Sequence, residues 1–159
     1  MTVADYTVVG EVGFAAWKSS DAFEEVYLDP QVIERVRREF MAFPAEATSA
    51  VHVAEAKGRV IGWAARDGAP NCISDLWVDP EHQGRGVGRA LVLHLLDLIA
   101  AAGHPLARIQ THAKNAAAIR LYERCGFTMV WRGREFSKSM DVELEKVHLQ
   151  RDLPVRASV

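Results

Sequence analysis

Between positions 83 and 89 the chain reads Gln83-Gly84-Arg85-Gly86-Val87-Gly88-Arg89. The glycines permit left-handed backbone and close approach by a ligand, while Arg85 and Arg89 add mobile positive charge. An apolar helical pattern starts at about Val87, so free N–H groups and the positive end of a helix dipole point at the same turn. Together these groups can cradle an anion such as a pyrophosphate. A Walker loop would end in Gly-Lys-Ser/Thr, which is absent, and a dinucleotide fingerprint would need glycine where Arg89 stands. A turn using glycine for geometry alone would not need three glycines and two arginines in so short a stretch.

Three other residues could do chemistry. Asp75 is the one charged residue in the apolar run from Cys72 to Val78, where a carboxylate is placed only at a cost. It either moves a proton or pairs with a nearby arginine or amide. Asn115 and Tyr122 are two helical turns apart, on one face and about 10 Å from each other along the axis, so one extended ligand arm could touch both. Asn115 is also a helix N-cap, and Tyr122 could equally be a core aromatic with a wet hydroxyl. The six histidines show neither H-E-x-x-H nor Cys/His ligand spacing, so no metal site is expected. His94 falls on an apolar helix stripe and is expected to be packed, and His112 is an alternative proton acceptor. Cys125, beside Gly126, has the look of a packing position.

These residues need elements to hold them. Tyr6 to Val9 is a short apolar stretch, and Val12 to Ser20 is a helix weakened by Gly13. Asp29-Pro30 starts a helix, a side-chain cap followed by proline at the first helical position, with Ile33, Val36, Phe40 and Phe43 on one stripe. Arg35, Arg37 and Arg38 fall outside that stripe, as a solvated face or an anion patch. Val51 to Ala56 and Val60 to Ala65 form a hairpin across Lys57-Gly58-Arg59, and Asp67-Gly68 makes the next turn. Cys72 to Val78 is one strand, ended by Asp79-Pro80. From Val87 the positions Ala90, Leu91, His94, Leu95, Leu98, Ile99 and Ala102 keep one helical stripe until Gly103 and Pro105 stop it. A strand at Ala107 to Thr111 precedes a helix from Asn115 to Gly126. Two strands, Phe127 to Trp131 and Val142 to Leu149, are joined by a polar connection from Gly133 to Asp141. The class is α+β.

Two of these stretches resemble a known family. Gln83-x-x-Gly86-x-Gly88 is similar to the Q/R-x-x-G-x-G/A signature of the GNAT superfamily of acetyl-CoA-dependent N-acetyltransferases. Asn115-Ala116-Ala117-Ala118-Ile119-Arg120-Leu121-Tyr122-Glu123-Arg124-Cys125-Gly126-Phe127 resembles its N-x-x-A-x-x-L-Y-x-x-x-G-F pattern. The match covers roughly residues 72 to 131. It implies a twisted, splayed mixed β-sheet flanked by helices, with the pantetheine arm inserted between the strand before the glycine turn and the strand at Ala107 to Thr111. It further implies that coenzyme A is held by Gln83, Gly84, Arg85, Gly86, Val87, Gly88 and Arg89 at the pyrophosphate, by the main chain of Leu76, Trp77 and Val78 at the pantetheine, and by Asn115. Tyr122 would donate to the thiol sulfur, and acetyl-CoA would be the co-substrate.

Direct transfer to a primary amine in a ternary complex needs a neutral amine and a quenched thiolate. Proton transfer from a phenol of pKa about 10 to a thiolate of pKa about 8.5 is uphill by about 2 kcal/mol, so hydrogen bonding is the main expected service of Tyr122. An alkylamine of pKa about 10.4 costs about 4.6 kcal/mol to neutralise at pH 7, against about 1 for an α-amine. Asp75 is the candidate base, with Glu24, Glu25, Glu55 and His112 behind it. The acceptor is a small-molecule amine or a peptide or protein amine. The competing expectation is a non-catalytic acyl-CoA-binding regulatory module on the same fold.

Composition narrows the class. The 159 residues are 49% hydrophobic and 25% charged, which excludes a disordered or low-complexity chain and suits a single domain over residues 1–159. Nineteen basic against 21 acidic side chains give no global positive field for nucleic acid or an anionic membrane. No apolar run has the length to span a bilayer, no leader pattern precedes Lys18, and Cys72 and Cys125 form no C-x-x-C pair, so a cytoplasmic protein is expected. A homodimer stays open.

Overall fold

The computed structural model describes residues 1–20, 29–138 and 140–154. Helix α1 runs through Tyr6–Lys18, joining the stretch expected as separate with the helix expected from Val12. Its glycines explain why. A Cβ on Gly13 would stand 2.6 Å from Phe40 Cδ1 and 2.9 Å from Trp63 Cζ2, and one on Gly10 would stand 2.8 Å from Met41 Sδ. Both glycines let α1 press against its neighbours, which offsets a propensity loss of about 1 kcal/mol each. The partner helix, α2 (Pro30–Glu46), begins as expected, with the Asp29 carboxylate accepting from the Gln31 N–H at 2.8 Å. Its Val36, Phe40 and Phe43 turn inward, while Arg37 and Arg38 are exposed and Arg37 makes a loose 4.0 Å pair with Glu34. Arg37 and Arg38 thus meet solvent, and Arg35 is half-buried.

Strands β1 (Val51–Ala56) and β2 (Arg59–Ala65) form the hairpin. Its turn is the two residues Lys57 and Gly58, both left-handed (φ 51° and 75°), instead of the three-residue connection expected. The strand expected over Cys72 to Val78 is divided into β3 (Cys72–Ile73) and β4 (Asp75–Val78). At the break the Ser74 N–H donates to Ala65 O at 3.0 Å, and the Ser74 hydroxyl accepts from the Asp67 N–H at 2.8 Å. The reason is topological. β3 pairs in parallel with β5 (Leu106–His112), whereas β4 pairs antiparallel with β2, so the chain changes sheets at Ser74. One sheet is ordered β1-β2-β4 and the other β3-β5-β7-β6.

Helix α3 (Val87–Ala101) is stopped by Gly103, with φ 82°. Its buried arc is Leu91, Val92, Leu95, Leu96 and Ile99, rotated from the expected stripe. His94 is therefore exposed and not packed in the core; its Nε2 lies 3.0 Å from His52 Nδ1 on β1. Helix α4 (Ala116–Arg124) starts at Asn115, whose side-chain oxygen accepts from the Ala118 N–H at 3.2 Å. Strands β6 (Thr128–Ser137) and β7 (Val142–Asp152) outrun their expected ends, and most of Gly133 to Asp141 is strand. That stretch is polar because its side chains pair across to β7, Arg134 with Glu143 at 3.5 Å and Glu135 with Lys146 at 3.9 Å.

The core is layered. α3 and α4 cover one side of the sheets through Ile73, Leu95, Ile109, Tyr122, Val147 and Leu149. α1 and α2 cover the other, over Trp63 and Ala65 on the first sheet and Leu144 on the second. Phe40 and Trp77 bridge those last two clusters. The mixed α+β class and the splayed sheet are thus as expected. Among the described residues no helix is long and apolar enough to cross a membrane.

Candidate active site

The switch at Ser74 opens a gap. β3 and β5 are bonded through Cys72 with Arg108 and Ile73 with Ile109, but from Asp75 onward β4 belongs to the other sheet. β4 and β5 share no ladder there, and the boundary between the two sheets is a wedge. At its rim β4 ends at Val78, a short 3-10 turn covers Pro80–His82, and the glycine turn follows. Gly84 and Gly86 are left-handed at φ 71° and 86°, and Gly86 is the N-cap of α3 without any side-chain cap. The first-turn amides of α3 therefore lack intrahelical acceptors. Space above Gly84 and Gly86 is open, with nothing within 4 Å of an added Cβ, whereas Gly88 is needed for packing, its Cβ position lying 3.1 Å from Leu121 Cδ2. Arg85 and Arg89 are exposed on this rim. The cradle thus has open floor, unpaired amides and two guanidinium groups, which fits a pyrophosphate.

Gln83 adds something that its motif position did not suggest. Its side-chain amide donates to Val78 O at 3.1 Å, tying the turn to the end of β4. The Asp79 carboxylate similarly meets His82 Nδ1 at 2.6 Å, so the whole strand-to-helix passage is braced.

Asp75 and Tyr122 face the wedge from opposite sides. Asp75 is in register with Ala65, on the face covered by α1 and α2, and is half-buried. Trp77 Nε1 donates to its Oδ1 at 3.2 Å. Burial pushes its carboxyl above the usual range, against the lowering effect of the Ser74 and Trp77 hydrogen bonds. Tyr122 is 5% exposed among the α3-side cluster, with its ring 6.2 Å from that of Phe127. Burial pushes its phenol up, and negative charge at Cys125 or Asp75 acts in the same direction, so it stays protonated. The Asp75 carboxylate is near enough to Tyr122 to act on its phenol, although the two belong to opposite faces. Asn115 lies at the start of α4, with Nδ2 donating to Thr111 Oγ1 at 3.3 Å while its oxygen caps the helix.

The other candidate bases are dispersed. Glu55 is exposed beside the hairpin turn, away from the Asp75 end of the sheet. Glu24 and Glu25 lie outside the described residues. His112 does sit on the Asp75 face, but burial and the Lys146 charge lower it to about 4, which leaves a neutral, weakly basic ring. Cys125 is buried and Cys72 is half-buried, both as free thiols. Among the described residues no cluster of three or more His, Cys, Asp or Glu could hold a metal ion.

One group was missed in the sequence. Trp131, Glu135, Lys146 and His148 gather on the α1–α2 face of β6 and β7. Lys146 and His148 fell inside the strand expected over Val142 to Leu149, but ending its partner at Trp131 put Glu135 in a connection and concealed the group.

The acetyltransferase (GNAT) family model matches residues 14–127, well over half of the chain, and the chain belongs to that family. The [ribosomal protein bS18]-alanine N-acetyltransferase of Escherichia coli K12 is 41% identical over 64 residues, 40% of this chain and 43% of that protein. The mycothiol acetyltransferase of Clavibacter sepedonicus is 39% identical over 75 residues, 46% of this chain and 25% of that protein. The chain thus spans less than half the length of these relatives. The PaiA N-acetyltransferase of Thermoplasma acidophilum, solved in complex with coenzyme A, shares the fold with a TM-score of 0.70 at 18% identity, covering 96% of each chain.

Proposed function

We propose that the chain is an acetyl-CoA-dependent N-acetyltransferase acting on a primary amine by direct attack in a ternary complex. One observation carries the reading: a wedge through the sheet has an anion-binding glycine turn at its rim, a buried phenol on one side and a half-buried carboxylate on the other. Gln83 to Arg89 would hold the pyrophosphate, the main chain of Leu76, Trp77 and Val78 the pantetheine amides, and Asn115 its far end. Bound there, acetyl-CoA supplies an activated acyl carbon. Asp75 accepts the proton that the amine gives up as the C–N bond forms, and its raised proton affinity makes it a better base than a solvated aspartate. Tyr122 stabilises the departing thiolate as the C–S bond breaks. Because its own pKa is raised, it acts mainly by hydrogen bonding and solvent completes the protonation.

Residues 1–159 act as one acyltransferase domain, consistent with Phe40 and Trp77 linking the clusters beneath the two sheets. A cytoplasmic location agrees with two free cysteines. The acceptor is a small-molecule or a peptide amine; the relatives' names include one of each kind. Calorimetry with acetyl-CoA, followed by thiol release over a panel of alkylamines, α-amines and peptides, tests the proposal. Amine-dependent thiol release supports it, and tight binding without release from any amine favours a regulatory acyl-CoA-binding module.

A further inference from the structure

Cross-strand register places a polar row on the α1–α2 face of the second sheet. Val147 and Leu149 of β7 belong to the α3-side core, so Lys146 and His148 point the other way, as does Leu144, which packs with Trp17 and Val36. Gln110 of β5 is opposite His148, and His112 is opposite Lys146. On the far side Trp131 of β6 is opposite His148, and Gly133 is opposite Lys146. The row thus leads from the wedge to the outer strand, two strand spacings or about 10 Å beyond β5.

At its end an indole and a carboxylate both meet His148. A Cβ on Gly133 would fall 2.7 Å from Trp131 Cη2, so glycine is what lets the indole lie across the strand. The Trp131 ring centre is 4.6 Å from that of His148. His148 Nε2 is 2.9 Å from Glu135 Oε1, yet it makes no aligned hydrogen bond, and Lys146 Nζ is 3.9 Å from Oε2. The His148 contact keeps the Glu135 side chain folded over the row instead of extended into water. The indole remains 40% exposed and the Glu135 side chain 33%. A carboxylate has about four acceptor positions, and two loose contacts leave room for an incoming donor.

We propose that Trp131 and Glu135 form a second acceptor subsite, which takes a further cationic group of the acceptor, an ammonium or a guanidinium, at least about 10 Å from the reacting amine. This rests on the amine-acetylation reading of the wedge. An aromatic face beside a carboxylate suits such a cation by ring quadrupole and charge-assisted hydrogen bonding together. The facing charges agree with that choice: Asp75 stands across the wedge, His112 is neutral, and Lys146 is the competing cation that a ligand would displace from Oε2.

The experiment titrates the full chain, saturated with coenzyme A, with α,ω-diamines of increasing length and with alkylamines of equal length. The Trp131 indole N–H resonance, assigned through Trp131→Phe, is followed by NMR. A diamine long enough to span the row should shift that resonance saturably and bind roughly fivefold or more tightly than its alkylamine counterpart. Glu135→Gln should erase the difference, while Lys146→Met, which removes the competing cation, should enlarge it. Opposite signs from two neighbouring substitutions cannot come from misfolding. An unshifted Trp131 resonance, or equal affinities for diamine and alkylamine, overturns the subsite even if both amines are acetylated. A specific shift without any acetylation upholds the subsite and refutes the transferase reading instead.

Discussion

Replacing Asp75 by Asn removes the proposed proton acceptor and keeps the shape of the side chain. The oxygen of the introduced amide can still accept from Trp77 Nε1, which now reaches Asp75 Oδ1 at 3.2 Å. The stability effect follows from the direction of the shift. The folded-state carboxyl holds its proton more tightly than the usual 3.8, so ionising Asp75 costs the fold stability as pH rises through 3.8 to the folded value, and the cost is complete above it. Asp75→Asn should therefore unfold no lower than the parent at pH 7, and any gain should fade as the pH falls toward 3.8.

The catalytic effect has another pH signature. A positioned base contributes roughly 10²- to 10⁴-fold, so kcat/KM for an alkylamine should fall by about that factor at pH 7. Solvent supplies about tenfold more neutral alkylamine per pH unit up to about 10.4, and the variant should recover accordingly while the parent changes less. The assay is thiol release from acetyl-CoA between about pH 6 and 10, beside thermal unfolding at each pH. A folded Asp75→Asn protein with the parent's rate and profile refutes the assignment. A loss that is constant across pH and accompanied by a lower Tm would make Asp75 a structural residue.

Tyr122→Phe keeps the ring that packs near Phe127 and removes only the hydroxyl, so kcat should drop by roughly 10²-fold with acetyl-CoA affinity retained, as steady-state kinetics and calorimetry would show. Gly86→Val forces a β-branched residue into φ 86° and puts carbon into the open floor of the cradle; calorimetry should show weakened coenzyme A binding and thermal unfolding a loss of about 1–2 kcal/mol. His112, lowered from 6.5 to about 4, contributes stability that is present above 6.5 and lost as pH falls toward 4, at most roughly 3 kcal/mol. His112→Gln should flatten the Tm-against-pH curve in that window, and an unchanged slope would show that the ring titrates normally.

Local chemistry was legible in the sequence wherever a residue acts on its immediate neighbours. The Asp29-Pro30 start, the Asn115 cap and the left-handed Gly86 and Gly103 are short-range effects, and the structure has each where composition puts it. Gly13 was misleading for the same reason. Its helix propensity is poor by itself, but its value lies in contact with Phe40 and Trp63, which are distant in the chain. The break at Ser74 was equally hidden: Cys72 to Val78 is mostly apolar, and only the pairing of its two ends with β5 and β2 divides it.

That division is what joins fold and chemistry. A continuous strand from Cys72 to Val78 would seal the sheet and keep Tyr122 and Asp75 on faces that cannot share a ligand. Because Ser74 hands the chain from one sheet to the other, a buried phenol from the α3 side and a half-buried carboxylate from the α1–α2 side open onto one wedge. Their opposed environments suit opposed tasks: complete burial keeps the phenol protonated as a donor, and partial burial raises the carboxyl toward the range of a useful base without removing its access to an incoming amine. The pair is built by a topological switch, which is why neither residue announced its partner in the sequence.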